Sequence, residues 1–298
     1  MRKTIRAVSV AVGIAVAAFA AAILVPATAA AAPASVQSLE SSFYTGTIAP
    51  GSSGHYWWNN ANPLSVSYVV GLSPQGASTT QDCQFEVTRT WYLQNFGGER
   101  EFHYTIKNVG SISCGTDVWL YSLPDSAGAW NTSGVNPGQT VTKHWNNAGA
   151  LSTYVAGLSP SGATSTAPCQ FEVTREWYQQ QPGGEKEFWF DVKNVGTIAC
   201  SAEVLLGTKT TTTTSAIGAT GPGGTGGSTW NNNPATIAYM VGFTPSGATA
   251  ATACQFELTR SWYGQTINTN GNAEKEFHQN WRNACTITCS ATKLLAWA

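Results

Sequence analysis

Three short runs place a flat apolar ring beside two amides: Trp58-Asn59-Asn60, Trp145-Asn146-Asn147 and Trp230-Asn231-Asn232. A sugar offers the matching surface, an apolar C–H face among hydroxyls, so these corners are the leading candidates for ligand contact. By strict alternation along their strands, Tyr92, Tyr178 and Tyr263 fall on the outward side and would extend such a surface. The competing reading makes each tryptophan a cap on the core and the asparagines its turn.

Catalytic constellations are weaker. The histidines do not recur as a set: His103 and His278 align with Trp189, His144 aligns with Trp57, and His55 has no counterpart. No His-x-x-Glu-His or paired Cys-x-x-Cys spacing is present, so no metal and no cofactor is expected. Gly157-Leu158-Ser159-Pro160-Ser161-Gly162 is one residue too long for a nucleophile elbow and reads as a turn. Glu86 with Glu101, Glu172 with Glu187 and Glu257 with Glu276 could be acid–base pairs if their strands were neighbours. A solvated face is the plainer account, and the expectation is a non-catalytic protein. Arg89, Arg175 and Arg260 fall on the inward parity, where each would sit at a core rim against a tryptophan or a carboxylate.

These residues are set out by a repeat. Cys83-Gln84-Phe85-Glu86-Val87-Thr88-Arg89 recurs from Cys169 to Arg175 and, with one Val-to-Leu change, from Cys254 to Arg260; the offsets are 169 − 83 = 86 and 254 − 169 = 85. Pro50-Gly51, Pro137-Gly138 and Pro222-Gly223 each precede their tryptophan by eight residues. Downstream, Gly98 to Phe102 matches Gly184 to Phe188 and, after an insertion, Ala273 to Phe277. A period near 86 is too long for a solenoid repeat and matches a small domain. The cysteines follow the same period. Cys83 and Cys114 stand 31 apart, as do Cys169 and Cys200, while Cys254 and Cys289 stand 35 apart. One bridge per repeat is expected, each worth about 3 to 4 kcal/mol on the chain-entropy account. Cys285, where the other repeats have Gly110 and Gly196, is left as a free thiol or an intermolecular link, or it replaces Cys289 in the bridge. If Cys285 and Cys289 shared a strand they would stand roughly 13 Å apart, too far to pair.

Alternation places Leu64, Val66, Tyr68 and Val70 on one face of a strand, and Cys83, Phe85 and Val87 on one face of the next. Ser73-Pro74-Gln75-Gly76 and its two counterparts make turns between them. The predicted fold is all-β: three tandem disulfide-stapled β-sandwich modules, immunoglobulin-like or jelly-roll-like, at 42–124, 125–210 and 211–298. The threonine run Thr210 to Thr214 is the most linker-like stretch, part of it entering the third module. In general outline the modules resemble immunoglobulin-like sandwiches of bacterial exported proteins, a likeness of fold alone.

Ahead of them, residues 1–32 have the form of a signal peptide. Arg2, Lys3 and Arg6 precede an uncharged run from Ala7 to Val25, and Ala27-Thr28-Ala29 marks a cleavage region reaching Ala32. The segment resembles bacterial export signals, and no second apolar run of membrane length follows. A secreted protein, extracellular or cell-wall associated, is therefore expected. Only 10% of residues are charged and the net charge is −1, which argues against nucleic acid and anionic membranes. The functional expectation is a binding protein for polysaccharide or cell-surface glycan, three weak sites gaining avidity on a repeating ligand. The alternative is an extracellular structural or assembly module that spaces or docks another secreted protein.

Overall fold

A computed structural model describes residues 37–61, 66–125, 130–231 and 233–298. The export segment, Leu64 and Asn232 lie outside the described residues. Among the described residues there are strands and turns and no helix, as the period-two alternation predicts.

Repeat one holds β1 (Ser38–Tyr44), β2 (Ser53–Asn59), β3 (Val66–Gln75), β4 (Cys83–Gln94), β5 (Arg100–Asn108) and β6 (Gly115–Pro124). Repeat two holds β7 (Trp130–Asn131), β8 (Thr140–Trp145), β9 (Ser152–Ser161), β10 (Cys169–Gln180), β11 (Lys186–Asn194) and β12 (Ser201–Thr210). Repeat three holds β13 (Thr213–Thr220), β14 (Thr225–Asn231), β15 (Tyr239–Ser246), β16 (Cys254–Ile267), β17 (Ala273–Asn283) and β18 (Cys289–Trp297). Each contributes an antiparallel three-stranded sheet: β1-β6-β3, β7-β12-β9 and β13-β18-β15. The other nine strands form one larger sheet.

In each repeat the small sheet lies against its share of the large one. Tyr68 of β3 stacks on Phe102 of β5, Tyr154 on Phe188, and Tyr239 on Phe277. Phe85, Phe171 and Phe256 are fully buried between the layers, each contributing roughly 1.5 to 3 kcal/mol. The bridges Cys83–Cys114, Cys169–Cys200 and Cys254–Cys289 form as the spacing predicts, with Cα atoms 6.1, 6.0 and 5.9 Å apart. Three such bonds suit an oxidising compartment.

The large sheet joins the repeats. The end of β4 pairs with the start of β10 (Tyr92 opposite Phe171), and the end of β10 with the start of β16 (Tyr178 opposite Phe256). The end of β16 pairs with the start of β4 (Tyr263 opposite Phe85), which closes a ring. Gln94, Gln180 and Gln265 repeat the same order with side chains. Each amide oxygen accepts a backbone N–H from the turn of the next repeat, at Ala163, Ala248 and Ala77, over 3.0 to 3.1 Å. Ser35–Ala298 is accordingly one compact unit, held by continuous hydrogen bonding across its seams. The threonine run is not slack either: β12 ends at Thr210, β13 begins at Thr213, and the amides of Thr211 and Thr212 donate to Leu151 and Leu295.

One local feature overturns the parity expected in β4, β10 and β16. Pairing with the following strand shifts register between Val87 and Arg89, between Val173 and Arg175, and between Leu258 and Arg260. Such a bulge sets two residues against one and reverses every later side chain. Arg89, Arg175 and Arg260 therefore face out, with side chains 44%, 40% and 41% exposed. Tyr92, Tyr178 and Tyr263 turn in, at 4%, 4% and 6%.

Candidate functional site

The bulges create a three-part outer face. Each arginine lies over the tryptophan two residues on: Arg89 over Trp91, Arg175 over Trp177 and Arg260 over Trp262, at 4.6, 4.5 and 4.6 Å. Each also reaches a glutamate of another repeat, Arg89 to Glu172 at 2.8 Å, Arg175 to Glu257 at 2.5 Å and Arg260 to Glu86 at 2.8 Å. The three pairs follow the seams around the ring. Stacking on indole keeps each guanidinium's fork in plane for its carboxylate. Glu257 is the most withdrawn of the three acids and also takes Arg282.

Beside Trp91 this face is richest in repeat one. His103 stacks on Trp91 with centroids 5.0 Å apart, His55 stacks on both, and Trp57 lies 56% exposed at the edge. His103 Nε2 is 2.8 Å from Glu101, and His103 Nδ1 is 3.0 Å from His55 Nε2. Burial holds the His103 pKa below its ordinary 6.5 despite the carboxylate. A neutral His103 donates from Nε2 to Glu101 and accepts at Nδ1 from His55, which fixes the exposed imidazole. Repeat two has Trp189 on Glu187, with His144 stacked on Trp189; repeat three has His278 near Glu276. On β2, His55, Trp57 and Asn59 share the exposed side, and Trp57 borders a shallow hollow of about 270 Å³ with Phe43 and Tyr56.

The predicted corners are placed as follows. Trp58, Trp145 and Trp230 are half-buried and pack against the core, while Asn59, Asn60, Asn146, Asn147 and Asn231 are exposed. Asn60 and Asn147 take left-handed φ of 62° and 57°, conformations that asparagine tolerates better than most residues. The amides just after them, Ala61 and Ala148, return to Arg100 and Lys186. The rings cap the core, and the amides stand beside it in water. The tyrosines are core residues. Their hydroxyls accept from the amides of Tyr68, Tyr154 and Tyr239 at 3.3, 2.9 and 3.0 Å, and burial raises all three pKa values.

The carboxylate pairs are not brought together. Opposite Glu86 stands Lys107, and opposite Glu101 stands Leu93. Six or so residues of ladder separate each pair, roughly 20 Å, well beyond the reach of a paired acid–base mechanism. A different carboxyl stands out. Glu176 shares its position with Thr90 and Ser261, and it faces a hollow of about 260 Å³ where the three repeats meet. Tyr68, Tyr92, Ala156 and Leu258 also line it. Desolvation raises the Glu176 pKa to about 7, opposed by the Ala156 amide donating to it at 3.0 Å.

Cys285 is a free thiol, and Cys289 holds the bridge to Cys254. Cys285 and Cys289 do not share a strand: β17 ends at Asn283 and β18 begins at Cys289. The turn between brings their sulfurs to 3.0 Å, in place of the separation expected along one strand.

Alignment of the repeats had the signal for the outer face. Arg-x-Trp-Tyr follows the seven-residue motif in every copy, and Glu176 is the odd residue within it. Comparison with protein-family models, with curated proteins and with solved structures finds no match.

Proposed function

We propose that this is an exported, non-catalytic binding protein that engages glycan or a cell-surface polymer through the aromatic outer face of its ring. The reading of the fold behind it is three β-sandwich modules, immunoglobulin-like in outline, closed on one another. Trp57 carries the proposal: it is 56% exposed and continues into an aromatic patch with His55 and His103 beside a hollow shared with Phe43 and Tyr56, and a contiguous apolar patch of this kind marks an interaction surface. Around it stand the donors and acceptors a sugar needs, the held imidazole of His55 and the amide of Asn59. The corner tryptophans serve as the support of this surface rather than its contact. A spacer role is served less well by a body whose ends are tied together through β16 and β4.

The test is binding of the mature protein to glycan arrays and isolated cell walls, comparing wild type with Trp57→Ala and Trp58→Ala. Trp57→Ala is expected to weaken binding at least tenfold at unchanged melting temperature, and Trp58→Ala to lower stability first. No binding by wild type, or full binding by folded Trp57→Ala, would sink the proposal.

A further inference from the structure

Repeat three differs from its companions at one loop in a way that bears on covalent chemistry. In every repeat a fully buried asparagine clamps the turn before the second bridging cysteine. Asn108 donates to Ile48 and Ile112 and accepts from the Gly110 amide at 2.9 Å; Asn194 does the same with Val135, Ile198 and Gly196. Asn283 donates to Thr220 and Ile287 and accepts from the Cys285 amide at 3.1 Å. The clamp is the same, and only the side chain it presents has changed, from glycine to cysteine.

That side chain is aimed at the bridge. Cys285 Sγ lies 3.0 Å from Cys289 Sγ, and one ligand atom from each of Cys254, Cys285 and Cys289 falls within 4.8 Å of the others. A hollow of about 200 Å³, lined by Cys285, Asn283, Arg175 and Arg282, opens beside the thiol and gives solvent a route to it. We propose that these three cysteines form an exchangeable unit, in which Cys285 attacks Cys289 and moves the bridge from Cys254–Cys289 to Cys285–Cys289.

The step conserves oxidation state. Solvent base removes the Cys285 proton, and the thiolate's electron pair forms the new bond to Cys289 Sγ. The Cys254–Cys289 bond breaks with its pair on Cys254, which takes up a proton. One bridge is made and one is lost. The free thiol passes from a part-exposed loop to a position with no solvent exposure, and β16 loses its covalent tie to β18. Neither other repeat can do this, because Gly110 and Gly196 carry no thiol.

Trypsin reads the outcome directly. Cleavage after Arg282 and Lys293 leaves Cys285 and Cys289 on one peptide, and Cys254 on the peptide ending at Arg260. The full chain is equilibrated natively at mildly alkaline pH, quenched in acid and denaturant, alkylated with a maleimide and digested without reduction. Exchange predicts two products: the cross-linked pair alkylated at Cys285, and a separate Cys254 peptide alkylated beside an internally bridged Cys285–Cys289 peptide. The Cys254 label should reach roughly a tenth or more of the Cys285 label, as for two states within tenfold in population. In Cys285→Ser the Cys254 label should vanish. Label confined to Cys285 in the wild type, or Cys254 label that persists in Cys285→Ser, would overturn the proposal.

Discussion

Replacing Glu176 with Gln should remove a pH dependence of stability that the wild type carries. The folded carboxyl titrates at about 7 against an ordinary 4.5, because packing at the hollow strips most of its water and leaves one backbone donor for compensation. Folded protein thus keeps a proton that the unfolded chain gives up at lower pH. Stability from this group is intact below 4.5, falls as pH rises, and is gone above about 7. At about 1.36 kcal/mol for each pH unit, the gap amounts to about 3 kcal/mol, an upper figure because the site relaxes and admits water. Glutamine keeps an oxygen for the Ala156 amide and has no proton to lose. The assay is denaturant unfolding of both proteins from pH 4.5 to 8, reading the difference between them so that other titrating groups cancel. Glu176→Gln should gain on the wild type by about 2 to 3 kcal/mol over that range, or roughly 4 to 12 °C in melting temperature for a chain of this size. Parallel curves across the range would refute the assignment of a part-buried, proton-holding carboxyl at the meeting point of the repeats.

The seams make a graded prediction. Glu257→Gln should cost about 1 to 3 kcal/mol, because a buried acid leaves Arg175 and Arg282 without their partner, whereas Arg89→Ala should cost at most about 1 kcal/mol at its more exposed seam. Chemical denaturation of the two variants checks the order, and equal losses would contradict it. Tyr178→Phe should cost about 1 kcal/mol through the orphaned Tyr154 amide and leave binding to glycans and cell walls unchanged, since the hydroxyl serves the core; reduced binding by the folded variant would return this tyrosine to the contact surface.

What the sequence by itself determined is what repetition and local chemistry encode. Three copies of one cysteine motif assigned one bridge to each repeat and fixed the first two at a spacing of 31, while the third stayed open between Cys289, at 35 beside an insertion of matching length, and Cys285, at 31. Alternation of apolar and polar residues identified strands and most of the core, since one face of each sheet must leave water. The tertiary structure decided the rest. A bulge adds one residue to one strand, and the Thr-Arg pair that forms it looks like any other step of the alternation, so strict parity sets the arginines and tyrosines beyond it on the opposite face to the one they take. Ring closure between β16 and β4 is made by backbone hydrogen bonds, which carry no mark in the side-chain pattern. For the same reason Glu176 was one variable position in the copied motif, and only the meeting of the three repeats gives it a hollow and a raised pKa. Cys285 was legible as an odd thiol; its approach to Cys289 depends on a loop that a buried asparagine folds back on itself.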